Sequence, residues 1–101
     1  VIGVQIVTVL YGHPTDPDAF DAYYRDTHAP LVDAIGGLKS WTARKVAALD
    51  ENPPPYYLIA ELSFDSAEDL QAGMGSAEGQ AAAADVPNFA TGGVTMFLAH
   101  D

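Results

Sequence analysis

The chain has 101 residues, 49% of them hydrophobic, with fourteen acids against four bases and a formal net charge of −10. That is enough for a single core, too apolar for a disordered tail, and without any apolar run near the roughly 18 residues that a bilayer span needs. The absence of cysteine rules out disulfides, thiolate nucleophiles and sulfur-ligated metals, and the acidity opposes nucleic acid and anionic membrane surfaces, which Arg25, Lys39, Arg44 and Lys45 are too few to reverse.

Residues 4–11 carry apolar side chains on both alternations, Val4, Ile6 and Leu10 on one and Val7, Val9 and Tyr11 on the other, as in a strand buried on two sides. With no basic residue before it, this segment does not read as a signal peptide, and the expected compartment is the cytoplasm. Gly12-His13-Pro14 breaks the strand. Asp16 or Thr15 then offers a helix N-cap, and Pro17 suits the first helical position, where its missing N–H would have no intrahelical partner. A helix is predicted over 17–35. At about 100° per residue, Phe20, Tyr24, Thr27, Leu31 and Ile35 form its buried stripe, Asp26 and Asp33 face water, and His28 falls at the stripe's edge. Pro30 sits inside that helix, lacking an N–H and crowding the Asp26 carbonyl, at a cost near 3 kcal/mol. The predicted consequence is a bend that tips His28 inward.

Gly36-Gly37 ends the helix, and residues 39–49, with Trp41, Thr42 and Val46, read as a second strand. The polar, proline-rich run at 50–55 is a stiff connector to a third strand at 56–64, making a long-looped antiparallel hairpin. Ser66 with Asp69 resembles a capping box for a second helix through Ala67, Leu70 and Met74. Gly73, Gly75 and Gly79 weaken it by about 1 kcal/mol each before the alanines at 81–84, so a broken or bent helix is predicted. Val86-Pro87-Asn88 stops it, and residues 93–99 alternate Val94, Met96 and Leu98 with Thr95, Phe97 and Ala99 in a last strand.

The order β-α-β-β-α-β predicts an α+β, ferredoxin-like domain over residues 1–101, a four-stranded antiparallel sheet with both helices on one face. Two helices leave the other face bare. Taking Val7, Val9, Ile59 and Phe97 as one side and Ile6, Leu10, Leu58 and Met96 as the other makes both sides apolar. At about 25 cal/mol per Å², a few hundred Å² of bare apolar sheet favours association by several kcal/mol, which predicts a homodimer packed sheet to sheet.

His28 is the leading candidate for chemistry, because an imidazole titrates near neutrality and partial burial keeps it neutral and basic. Tyr24, one turn earlier on the same face, would donate a hydrogen bond to negative charge developing on a carbonyl or phenol. Arg25 either reaches over a pocket rim to a substrate carboxylate or pairs in water with Asp21 or Asp26. Tyr11, Tyr23, Trp41, Tyr57 and Phe97 line a cavity for an aromatic substrate or pack the core and interface, Trp41 being the best pocket candidate. His13 and His100 make no metal-ligand spacing with His28, and no glycine-rich phosphate cradle follows a strand, so neither a metal nor a nucleotide cofactor is expected.

The run Tyr24-Arg25-Asp26-Thr27-His28-Ala29-Pro30-Leu31-Val32, followed by Gly36-Gly37-Leu38, resembles the signature of the EthD family, and the resemblance extends over almost the whole chain. It implies a dimeric α+β barrel, in which two sheets face one another and each protomer keeps a pocket between its sheet and helices. Relatives of that fold include proteins associated with alkyl ether degradation, polyketide-tailoring decarboxylases and dehydratases, muconolactone isomerase, cofactor-free quinone-forming monooxygenases and heme-degrading enzymes. The fold alone does not choose among them. The resemblance implies a cofactor-independent lyase, isomerase or oxygenase using His28 as general acid or base on an aromatic or polyketide-like molecule. The alternative is a non-catalytic accessory or stress-related dimer that binds a small hydrophobic molecule.

Overall fold

The alternating apolar runs become strands and the proline and glycine clusters become breaks. In the computed structural model, which describes residues 3–101, the elements are β1 (Gln5–Gly12), α1 (Pro17–Tyr23), a π turn (Tyr24–His28), α2 (Ala29–Asp33), β2 (Ser40–Lys45), β3 (Tyr56–Phe64), α3 (Ala67–Gly75), α4 (Ala77–Asp85), a 3₁₀ turn (Val86–Asn88) and β4 (Val94–His100). The strands form one antiparallel sheet in the order β2-β3-β1-β4, and the helices lie on one face of it, the ferredoxin-like arrangement.

Register decides which residues share a face. Val7 pairs with Leu62 and Leu98, Val9 with Ala60 and Met96, and Tyr11 with Leu58 and Val94, and these point toward the helices. Ile6, Leu10, Ile59 and Phe97 fall on the opposite alternation. This corrects the expected grouping. Alternation within one strand says nothing of its phase against the next, and a slip of one residue exchanges the two faces. The bare face carries those four apolar side chains among polar ones, since the same alternation also holds Thr8, Thr42, Arg44, Glu61, Ser63 and Thr95. The core between sheet and helices gathers Tyr11, Phe20, Tyr24, Val32, Leu62, Phe64 and Phe89.

Two strands differ from expectation at their ends. β2 stops at Lys45 rather than residue 49, because β3 begins only at Tyr56 and leaves the chain beyond Val46 no partner; Leu49 stands in solvent. β4 starts after Gly93, whose φ of +91° is outside the β region. The glycine-weakened helix does break, at Ser76. That residue closes α3 by donating to the Gly73 carbonyl (2.6 Å) and opens α4 by accepting from the Gly79 N–H (3.1 Å). Gly79 is required there, since a Cβ on it would lie 2.2 Å from the Gly73 carbonyl oxygen.

Candidate functional site

The site begins with a helix that widens. Asp16 caps α1 by accepting from the Ala19 N–H (3.1 Å), and the helix then passes into the π turn, closed by the Ala29 N–H bonding the Tyr24 carbonyl five residues back. Pro30 has no N–H to give the Asp26 carbonyl, so the ladder is already interrupted where the turn forms. An extra residue in the turn slows the rotation of the helix face. His28 thereby swings onto the face of Phe20 and Tyr24, while Thr27 turns outward to solvent. The buried stripe is therefore Phe20, Tyr24, His28, Val32 and Ile35, in place of the one expected through Thr27 and Leu31, and His28 is only 4% exposed. The predicted bend is in fact a change of helical pitch.

Burial brings His28 to an acid distant in sequence. Its Nδ1 lies 3.0 Å from Oδ2 of Asp85, the last residue of α4, and the other carboxylate oxygen accepts from the Tyr23 hydroxyl (2.5 Å) and the Asn88 amide (3.1 Å). Burial pushes Asp85 upward, but the hydrogen bonds from Tyr23, Asn88 and His28 outweigh it and hold the carboxyl below its ordinary value. Burial lowers the pKa of His28, only partly offset by the Asp85 hydrogen bond and charge. An ionised Asp85 beside a neutral imidazole assigns the proton to Nδ1, so the Nε2 edge is left as a lone-pair acceptor. Phe89 covers the ring at 4.6 Å and Tyr24 flanks it at 5.1 Å.

His28 lines a cavity of about 40 Å³ between helices and sheet, with Tyr11, Tyr24, Val9, Leu62, Met74 and Met96 among its walls. Met96, a lining residue on edge strand β4, is 54% exposed. Burial pushes the Tyr24 phenol up to about 12, and burial with the Tyr24 and Asp85 charges raises Tyr11 further. Both phenols keep their protons at neutral pH. The arrangement can accept a proton at Nε2 of His28 and present protonated phenols to a developing oxyanion.

Of the residues singled out from sequence, His28, Tyr24 and Tyr11 all line the cavity, while Tyr23, Tyr57 and Phe97 are not among its walls. Nor are Arg25 and Trp41. Arg25 lies in solvent, bound through Nε to Asp26 at 2.9 Å, and Trp41 donates its indole N–H to Asp33 at 2.7 Å, tying β2 to the end of α2. Asp85, Asn88 and Phe89 went unnoticed. A signal for Asp85 was present: it is an acid at the C-terminal end of an alanine-rich helix, where the dipole disfavours negative charge and a compensating partner is needed. Among the described residues no cluster of three His, Cys, Asp or Glu side chains is poised for a metal, and no helix is long and apolar enough to cross a membrane.

Comparison with known proteins agrees with the signature around His28. The EthD domain family matches residues 12–93. An uncharacterized 11.0 kDa protein from the thcB-thcC intergenic region of Rhodococcus erythropolis is 50% identical over 92 residues, covering 91% of this chain and 89% of that one. The crystal structure of an ethyl tert-butyl ether D (EthD) family protein from Bacillus halodurans C-125 superposes with a TM-score of 0.90 at 32% identity, covering 97% of this chain and 98% of that one. A dimeric ferredoxin-like protein of unknown function from Thermobifida fusca YX shares the fold alone, with a TM-score of 0.72 at 14% identity over 99% of this chain and 92% of that one.

Proposed function

The chain belongs to the EthD family, and from that premise we propose that it performs cofactor-independent acid–base chemistry on a small aromatic or polyketide-like molecule, with His28 as the base. The observation that carries this reading is the buried His28–Asp85 pair beside an apolar cavity. Asp85 orients the imidazole and stabilises the imidazolium that forms when Nε2 takes a proton from carbon next to a carbonyl, or from a phenol. Tyr24 and Tyr11 donate hydrogen bonds to the oxyanion left behind. A cofactor-independent lyase, isomerase or oxygenase acting on a carbonyl compound or phenol can each begin with such a step, and the pocket chemistry does not divide them further.

The second reading is a non-catalytic binder of a small hydrophobic molecule at the same place; the cavity, at about 40 Å³ against the roughly 300–1,000 Å³ of ordinary ligand pockets, must open to admit a substrate or a bound guest alike. One experiment separates the two. A panel of small aromatic and polyketide-like carbonyl compounds is incubated in D₂O with the protein and with His28→Ala, and loss of the α-proton signal is followed by NMR. Catalysis predicts exchange that falls by about 10² in the variant. Thermal stabilisation by a compound whose exchange is the same with and without His28 would establish the binder.

The proposal includes a homodimer of single-domain protomers, packed through the bare sheet face in the cytoplasm. Ile6, Leu10, Ile59 and Phe97 share that face, and Phe97 is 50% exposed. A face of this kind favours self-association, and the ferredoxin-like relative from Thermobifida fusca is described as dimeric.

A further inference from the structure

The Oδ1 side of Asp85 leads away from His28. Both of its donors, Tyr23 and Asn88, line an open groove of about 180 Å³ that His28 does not border. Its floor is aromatic: Phe20 and Phe89 lie 5.3 Å apart at 67°, and Tyr23 stacks on Phe89 at 5.4 Å. Its rim is polar. The Thr15 N–H donates to the Thr91 hydroxyl at 3.0 Å, and Asp16, whose Oδ1 caps Ala19, keeps a second carboxylate oxygen with which to accept.

Size, floor and charge together select a guest. A cavity of about 150 Å³ takes up benzene, so this groove is of the size of one ring. Aromatic edges and faces favour an aromatic ring over an aliphatic one. Asp16 at the rim, in a chain of net charge −10, opposes a carboxylate and favours a hydrogen-bond donor. We propose that the groove is a second binding site, distinct from the His28 cavity, for a neutral monocyclic aromatic that carries a hydroxyl, phenol being the simplest case.

Occupancy of the groove reaches His28 through two walls that it shares with the buried pair. Phe89 is at once a lining residue of the groove and the cover on the imidazole. Tyr23 and Asn88 are at once lining residues and the donors to Asp85. A guest hydroxyl that engages either donor draws it from Oδ1 and leaves the carboxylate charge on Oδ2, against the ring. The titratable groups around His28 are Asp85 from α4, Tyr23 through Asp85, Tyr24 from its own turn and Tyr11 from β1 across the cavity. The phenols stay protonated while His28 titrates, so the change in Asp85 raises the proton affinity of the imidazole. This holds whether or not His28 turns over a substrate.

The test is a phenol titration followed by NMR. Saturable shifts are expected at the amides of Ala19, Tyr23, Phe89 and Thr91, with millimolar affinity, together with an upward shift in the titration midpoint of the His28 ring. Ala19→Leu, which fills the groove from the exposed side of α1, is expected to abolish both while leaving the folded spectrum intact; benzoate is expected not to bind. Shifts confined to Val9, Ala60 and Leu62 would put phenol in the His28 cavity and overturn the proposal. So would the absence of saturation, survival of binding in Ala19→Leu, or binding that leaves the His28 titration unmoved.

Discussion

Replacing Asp85 with asparagine tests the protonation of His28 directly, because the shape stays while the charge goes. The carboxylate now accepts from Tyr23 (2.5 Å), His28 (3.0 Å) and Asn88 (3.1 Å). In Asp85→Asn a single carbonyl oxygen remains, and keeping the Tyr23 and Asn88 donors turns the new NH₂ toward His28. That NH₂ can only donate, so Nδ1 must become the acceptor and the imidazole proton must move to Nε2. Hydrogen bonds to charged groups contribute about 1.5–3 kcal/mol and neutral ones about 0.5–1.5. Part of that difference is recovered because a buried charge no longer needs solvating, leaving a net loss of about 1–2 kcal/mol. For a domain of this size that is roughly 4–16 °C in Tm. Asp85→Ala, which strands the neutral Nδ1–H in the interior without a partner, should cost about 1–3 kcal/mol. The assay is the ¹⁵N chemical shift of the two ring nitrogens. The wild-type protein should show an unprotonated Nε2, and Asp85→Asn an unprotonated Nδ1 together with a further lowered His28 pKa. The same tautomer in both proteins would refute the reasoning and with it the role of Nε2 as base.

Other outcomes follow from burial and packing. The folded pKa of His28 lies below its unfolded value near 6.5, so between the two the unfolded chain binds more protons. Stability is therefore complete above about pH 6.5 and declines below it; Asp85, also held low, adds a second loss below about pH 3.9 as its carboxylate is protonated. Urea unfolding across that range checks this, and a midpoint unchanged between neutrality and pH 4 would contradict it. Gly79→Ala forces a Cβ to within 2.2 Å of the Gly73 carbonyl oxygen and should lose about 1–3 kcal/mol, whereas Gly75→Ala meets nothing within 4 Å and should gain up to about 1 kcal/mol. Equal thermal shifts for the two would sink the packing account of the α3–α4 joint. Phe97→Glu, on the bare sheet face, should convert the proposed dimer to monomer in sedimentation; an unchanged mass would place the interface elsewhere.

Much of this could be read locally. The third strand emerges at Tyr56–Phe64, the span expected from its alternation and from the three prolines before it, and the break in the second helix falls within its glycine-rich stretch. His28, Tyr24 and Tyr11 share a cavity, but only the one-turn spacing of Tyr24 and His28 could be read from the chain; Tyr11 had packing as its other reading. Arg25 escaped that reasoning because its neighbour Asp26 satisfies it in solvent, and Trp41 because Asp33 takes its N–H. Asp85 escaped because nothing next to it in the chain reveals that its partner is 57 residues away.

The amino-acid sequence by itself determined the order of strands and helices and the disruption at Pro30, since these depend on propensity, alternation and turn chemistry within a few residues. Tertiary structure decided the phase of each strand against its neighbour and the pitch of the helix through His28. A lone proline is compatible with a kink or with a widened turn. Burying His28 against Asp85, on the face that also carries Phe20 and Tyr24, requires the widened one.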